Sequence, residues 1–350
     1  MSQNTPSTHT PIQPSSEEAT IRKILNTVGP LLALVLVYGF FFALKPSNMT
    51  NAYSIEIMLR QAVTIGIAAC GVTVIIVSGG IDLSIGSSVA LVTVAIGRLL
   101  ETDTGFSRTA EAWPVLWPLA AALAGIGVAT LAGFFNGLLT TKLKIAPFIT
   151  TLGTMLVLRG AAKGLADNKT IGTVDNWLSD TLLQPVLREG FVLFRFSPGI
   201  GVMLVLAVLC ALFLRYTRLG RHAFAIGSNE ETARLCGVPV ERSKILIYAI
   251  GGAFVGVAGL MEFATIDIGD PNTQVGLELE AIAAVVIGGG SLSGGRGSIL
   301  GSIVGALIIS VIGFGCTAIG VPVWVQEIIT GAIIIAAVTV DRLRHRRLAR

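Results

Sequence analysis

Apolar runs recur along nearly the whole chain, at roughly 28–44, 60–79, 83–98, 114–140, 145–162, 199–214, 245–265, 279–290, 298–315 and 323–340. A helix needs about 20 apolar residues to cross the hydrocarbon of a bilayer, and most of these runs approach that length. Their succession predicts an all-α fold, a polytopic membrane helix bundle of about ten transmembrane helices. The 279–290 run is short, as a partial or broken helix would be, and 114–140 is long enough to tilt or bend. Charged residues make up 13% of the chain and apolar residues 53%. A water-facing protein of this length cannot bury so much apolar surface, which excludes a soluble enzyme. The same balance excludes a disordered chain and leaves too little aqueous surface for a nucleic-acid patch.

The distribution of charge orients the bundle. Residues 1–27 read as a disordered tail, rich in Ser, Thr, Pro and Gln at first and ending beyond Arg22 and Lys23. The apolar run that follows meets Lys45-Pro46 and no small-residue cleavage site, so it reads as an uncleaved first span and not a signal peptide. With that tail in the cytoplasm, ten crossings return the C-terminus to the cytoplasm. The membrane domain then covers 28–340, with a cytoplasmic loop at 215–244 and an Arg-rich cytoplasmic tail at 341–350. The loop carries Arg215, Arg218, Arg221, Arg234, Arg242 and Lys244, while 266–280 falls outside with four acids and no Lys or Arg. This is the asymmetry of the positive-inside rule.

Gly133/Gly137, Gly252/Gly256 and Gly297/Gly301/Gly305 have the small-x-x-x-small spacing that lets helix backbones approach in lipid, and they mark helix–helix contacts. Two other glycine-rich segments, Gly79–Gly86 (GGIDLSIG) and Gly288–Gly295 (GGGSLSGG), share a G-G-x-x-L-S-x-G pattern at span junctions. Glycine disfavours a helix interior, so each reads as a break, tolerated where backbone is buried in protein or lines a wet cavity. Asp82 needs a partner there, and Asp82 or Ser84 is placed to cap the helix that follows.

The 225–244 stretch, AIGSNEETARLCGVPVERSK, writes a short helix. Ser228 and Glu231 form an S-x-x-E capping box, with Ser228 as N-cap. Glu230 and Arg234 are an i,i+4 pair, Gly237 suits the position after the C-cap, and Pro239 blocks continuation. A helix of about eight residues is marginal alone. Its apolar residues, Ala233, Leu235 and Cys236, cannot make a core. Either a cytoplasmic partner holds it or it packs as a turn on its own membrane domain.

No catalytic or cofactor-binding constellation emerges. Cys70, Cys210, Cys236 and Cys316 form no C-x-x-C pair, and His9, His222 and His345 are scattered, so no metal site is expected. Leu292–Gly295 (LSGG) and Gly290-x-x-x-x-Gly295-Arg296 imitate nucleotide-binding signatures. Arg296 replaces the phosphate-binding Lys and Gly297 the magnesium-binding Ser or Thr, so nucleotide binding is not expected.

Four motifs in order carry a resemblance: GGIDLSIGSSVAL (79–91), FNGLLTTKLKIAPFITTLGTM (135–155), GRHAFAIGSNEETARLCGV (220–238) and AIAAVVIGGGSLSGGRGSILGSIVGAL (281–307). The chain resembles permease subunits of bacterial ABC importers for ribose and related monosaccharides, over nearly everything after about residue 30. The resemblance implies a multi-pass protein of the bacterial inner membrane that pairs with a second permease copy as a homodimer. It also implies work with a cytoplasmic ABC ATPase, which binds ATP and Mg, and with a periplasmic or extracytoplasmic sugar-binding protein. Ser228, Asn229, Glu230, Glu231, Ala233, Arg234 and Gly237 match the family's coupling helix, which docks on the ATPase. Asp82, Ser84, Asn136, Thr150 and Thr151, polar groups at breaks or inside apolar runs, are the candidates for the substrate path. Two rival classes stand beside this reading. An ion-gradient-driven transporter would rely on Asp82, Glu262 and Glu327. A polytopic membrane enzyme would form product without any ATPase.

Overall fold

The computed structural model describes residues 16–102, 109, 112–182 and 197–348. Each of the ten apolar runs falls in a helix. They are α1 (Ser16–Leu44), α3 (Ala52–Val77), α4 (Ile85–Leu99), α5 (Leu116–Lys142), α6 (Pro147–Leu165), α8 (Pro198–Tyr216), α11 (Val240–Ile266), α12 (Leu277–Ile287), α13 (Ile299–Ala318) and α14 (Val323–Leu348). Shorter helices sit between them: α2 (Pro46–Met49), α7 (Trp177–Leu182), α9 (Arg218–Ser228) and α10 (Glu230–Leu235). The only strands among the described residues are two-residue pieces, β1 (Ile171–Gly172) and β2 (Ile268–Gly269), paired antiparallel. The fold is an all-α polytopic membrane bundle.

Among the described residues five helices, α3, α5, α8, α11 and α13, are long and apolar enough to cross a membrane, and Val28–Leu44, Ile85–Leu99 and Val323–Thr339 are shorter apolar stretches. The outer surface has the polarity that lipid demands. On α8, Leu204, Val205, Val208, Leu209 and Leu212 are exposed, and on α5, Leu119, Leu123, Leu131 and Phe135. A soluble protein would put charge at such positions.

At both ends the helices extend past the apolar runs. The chain is helical from Ser16, so twelve residues assigned to the disordered tail belong to α1, while 1–15 lie outside the described residues. The reason is local: Glu17 and Glu18 favour a first turn, and Ile21, Ile24, Leu25 and Val28 recur at helical spacing. At the other end α14 runs through the Arg-rich segment to Leu348.

The bundle core is built around α3, whose buried residues run unbroken from Ala62 to Val77. Small residues set the closest approaches. Gly133 of α5 lies against the Tyr248 carbonyl and Gly252 of α11, and Gly256 lies against Ile126, so the two spaced glycine pairs meet. Gly301 and Gly305 of α13 lie against Gly288 and Ala284 of α12. A buried hydroxyl pair, Thr73 and Ser302 at 2.7 Å, ties α3 to α13.

Helix direction separates two faces. One holds Val77, Lys142, Val240 and α10; the Lys142–Glu241 ion pair (3.0 Å) joins α5 to α11 there. The other holds the start of α3 and the ends of α1 and α13, where Lys45 Nζ donates to the Ala318 carbonyl at 3.0 Å.

Candidate functional site

The first glycine-rich break is a buried loop between α3 and α4. Gly79 takes a positive φ of 79° that ends α3. The loop lies beneath the surface of the α10 face: Asn136 is six residues from the end of α5 and Tyr248 eight from the start of α11, roughly 9–12 Å at helical rise. Backbone at that depth must find partners in protein. The Ile81 carbonyl accepts from Tyr248 Oη at 3.2 Å and from Thr151 Oγ1 at 3.3 Å. Asp82 Oδ1 accepts the Ser84 N–H at 2.8 Å and the Ser84 hydroxyl at 2.6 Å. Asn136 Nδ2 donates to Ser84 Oγ at 2.8 Å.

Asp82, Ser84, Asn136 and Thr151 therefore come together, joining the loop to α5, α6 and α11. Ser84 occupies the N-cap of α4 without a side-chain cap bond, and Asp82 closes a local turn on Ser84 instead. Thr150 is also buried, and its hydroxyl has no partner, as is true of Asn136 Oδ1. All five are at most 7% exposed.

The second discontinuity enters from the opposite face. The short 279–290 run, read as a partial or broken helix, is held by α12 alone; before it the chain leaves α11 and descends along α4 through the two residues of β2 and a run of turns. Gly269 lies against Gly97, Asp270 exchanges bonds with Thr93 (3.2 and 3.3 Å), and the Gln274 carbonyl touches Gly86. From Gly97 to Gly86 is eleven residues of α4, about 16 Å. Arg159 Nη1, from inside α6, donates to the carbonyls of Pro271 (3.0 Å) and Thr273 (2.8 Å). Helix α12 is thus a half-length helix entered by a re-entrant segment.

That arrangement leaves a cavity of about 500 Å³ in the half of the bundle away from α10. Its walls include Arg60, Gln61 and Thr64 of α3, Glu262 and Thr265 of α11, Gln274, Glu280 of α12 and Ser310 of α13. None of the five residues of the first break lines it. Sequence reasoning passed over this group, apart from naming Glu262. The signal was present: Arg60, Gln61 and Thr64 lie one turn apart at the start of an apolar run, where they read as a flank.

The helix expected within 215–244 is α10, six residues long. Its N-cap is Asn229, whose side chain accepts the Thr232 N–H at 2.8 Å, and not Ser228. Ser228 completes α9, with its hydroxyl bonded to the Phe224 carbonyl at 2.8 Å. The capping box with Glu231 is accordingly absent. The other end is as expected: Gly237 has φ 84°, with Val238 N–H on Ala233 O and Gly237 N–H on Arg234 O, a Schellman closure. Glu230 pairs with Arg234 at 3.2 Å and with Lys244 of α11. Ala233 is buried with Ile226 and Val240, while Leu235 is 89% exposed.

Three segments meet beneath α10. A methyl group on Gly227, at the end of α9, would collide with the Val77 carbonyl and come within 2.5 Å of the Gly295 nitrogen. The Gly295 N–H itself donates to Val77 O at 2.9 Å. The second glycine-rich break is thus bonded to the end of α3, where the first break begins, and Gly227 packs against the same corner.

A lipid-facing helical bundle with two discontinuities, and a cavity beside the re-entrant one, defines the class of polytopic membrane transport proteins. The chain belongs to the family described as branched-chain amino acid transport system / permease component, whose model matches residues 54–338. It is 34% identical over 319 residues to the ribose import permease protein RbsC of Bacillus subtilis, covering 91% of this chain and 94% of that one. It is 34% identical over 317 residues to the fructose import permease protein FrcC of Rhizobium meliloti, covering 89% and 84%. The galactose/methyl galactoside import permease protein MglC of Escherichia coli is also 34% identical, over 322 residues, covering 91% and 92%. No solved structure matches.

Proposed function

We propose that the chain is the membrane-spanning subunit of an ATP-driven monosaccharide importer in the bacterial inner membrane, with α10 facing the cytoplasm. A separate ABC ATPase binds ATP and Mg and docks on α10, an extracytoplasmic protein delivers the sugar, and a second permease subunit completes the membrane part. The chain itself carries transport and no catalysis.

The observation behind this reading is the seat of α10. Gly227, in the last turn of α9 three residues before α10, abuts Val77 at the end of α3 and Gly295 of the second broken region. Force applied to α10 therefore reaches both breaks through main-chain contact. The first break continues to Gly86, which touches Gln274 of the re-entrant segment and Glu278 of α12. In the mechanism, ATP binding draws two ATPase domains together and shifts α10. The Val77–Gly86 loop and the 288–297 loop then move against α5, α11 and α13, changing which face the interior opens toward. The Asp82–Ser84–Asn136 cluster, with Thr150 and Thr151, forms the inner barrier of the path, where exchangeable hydrogen bonds replace a hydrophobic plug. The basic residues of the α10 face support its cytoplasmic orientation.

Reconstitution in proteoliposomes tests the reading. Uptake of ribose, fructose, xylose or galactose should require the ATPase, ATP and the binding protein together. Ion-gradient-driven uptake by the chain alone would replace it with a secondary transporter.

A further inference from the structure

The cavity on the face away from α10 has a composition that the family assignment does not explain. Arg60, Gln61 and Thr64 line it from α3, Thr64 lying one turn beyond each of the other two. They face Glu262 of α11, Glu280 of α12 and Ser310 of α13 across about 500 Å³, a volume in the range of small-molecule sites.

Ser310 is the telling residue. A serine inside a membrane helix ordinarily satisfies its hydroxyl on the carbonyl one turn back. On the same helix Ser302 does so with Ser298 O at 3.0 Å, and Thr317 with Gly313 O at 3.0 Å. Ser310 is 3% exposed and its hydroxyl has no partner. Across the cavity, Arg60 has no ion-pair partner among the described residues. Glu262 is held by Thr273, whose hydroxyl donates to Oε1 at 2.8 Å. The Ser310 hydroxyl, buried without a partner at the wall of the recess, carries a cost that a ligand with a matching group removes, while Gln61 is exposed to the opening.

The mixture of charges selects the ligand class. Arg60 opposes a bound cation, and two carboxylates oppose an anion. An uncharged molecule with many hydroxyls suits all of them: guanidinium and amide N–H groups donate to its oxygens, carboxylates accept from its O–H groups, and Ser310 does either. We propose that this cavity is a binding station for the transported sugar on its way from the extracytoplasmic face, with Ser310, Gln61, Arg60 and Glu262 as its hydrogen-bonding groups. The proposal rests on the importer reading above and adds the place where this chain itself meets the sugar.

The test uses the whole chain, assembled with its ATPase and binding protein in proteoliposomes and offered ribose, fructose, xylose and galactose separately. ATP-driven uptake of none of the four by the wild type sinks the importer reading and this site with it. Where the wild type carries a sugar, S310A and Q61A are expected to lower its uptake at least fivefold at saturating binding protein. Binding-protein-stimulated ATP hydrolysis should stay within twofold of wild type, which also reports that the variants assemble. In a C236S background, S310C is expected to react with a thiol reagent added outside, with sugar-loaded binding protein and ATP slowing the reaction. Wild-type uptake by S310A and Q61A, with S310C unreactive from outside, overturns the site and leaves the importer standing. Sodium-dependent uptake abolished by E262Q overturns it in favour of a cation site.

Discussion

The Gly295 backbone N–H donates to the Val77 carbonyl oxygen at 2.9 Å. This one bond hangs the loop after α12 on the last turn of α3, and Gly227 wedges its α-carbon into the same corner. Main chain meets main chain there with no side chain between, so the corner tolerates neither bulk nor slack.

Substituting Gly227 tests that corner. Gly227→Ala inserts a methyl group into the Val77 carbonyl and the Gly295 nitrogen. Overpacking of this kind costs about 1–3 kcal/mol. The purified protein should melt several degrees lower, and ATP hydrolysis should lose its dependence on the binding protein. A G227A protein with wild-type melting and coupled uptake would remove the corner from the mechanism.

The buried polar cluster makes a prediction about additivity. Asp82→Ala leaves the Ser84 N–H and hydroxyl without their acceptor, at a cost of about 1–3 kcal/mol. Asn136→Ala removes the donor to the same hydroxyl. Because both act through Ser84, the double variant should lose less stability than the two single losses combined, by about 0.5–3 kcal/mol. Thermal or denaturant unfolding in detergent gives the four corners of the cycle; simple additivity would show that the three side chains do not act as a unit.

Leu235 separates docking from folding. At 89% exposure it supports nothing inside this chain, so Leu235→Ala should leave the melting temperature unchanged. If α10 docks into an ATPase groove, the same change weakens ATPase association about tenfold, or ~1.4 kcal/mol. Titration of the ATPase onto the reconstituted chain measures it. Unchanged affinity would point to a different docking element.

Cys236 reports sidedness without mutation. Cys70, Cys210 and Cys316 are buried, while Cys236 is exposed beside α10. A membrane-impermeant maleimide should modify inverted vesicles and spare intact cells, and bound ATPase should slow the reaction. Labelling of intact cells would invert the topology and detach α10 from any cytoplasmic motor.

How much of this was legible in the sequence depends on what kind of signal each feature leaves. Hydropathy located every long helix, because lipid-facing apolar residues need no tertiary context to be recognised. The glycine pairs at 133/137 and 252/256 were legible as contact surfaces, since close backbone approach has few alternatives to glycine, but only the fold sets the one against the other between α5 and α11. The start of α10 was misread because Ser228 and Asn229 are both good N-caps, and only the continuation of α9 through Ser228 decides between them. The descent of the 268–276 segment was invisible. Its backbone is satisfied by Thr93 and Arg159, far away in sequence, and a polar stretch after an apolar helix reads as a surface loop. The cavity was missed for the same reason, as its walls come from helices that only the fold brings together.

The half-length of α12 bears on how the protein is made. Eleven helical residues reach about 16 Å, half of a ~30 Å hydrocarbon core. The remainder of that crossing is a two-residue strand and turns, non-helical backbone that lipid cannot host unaided. Its acceptors and donors, Thr93 and Arg159, emerge from the ribosome long before it does. This crossing therefore cannot be threaded on its own into the bilayer during biogenesis; it must wait for α4 and α6 to assemble a protein-lined berth, which makes it a late step in the maturation of the molecule.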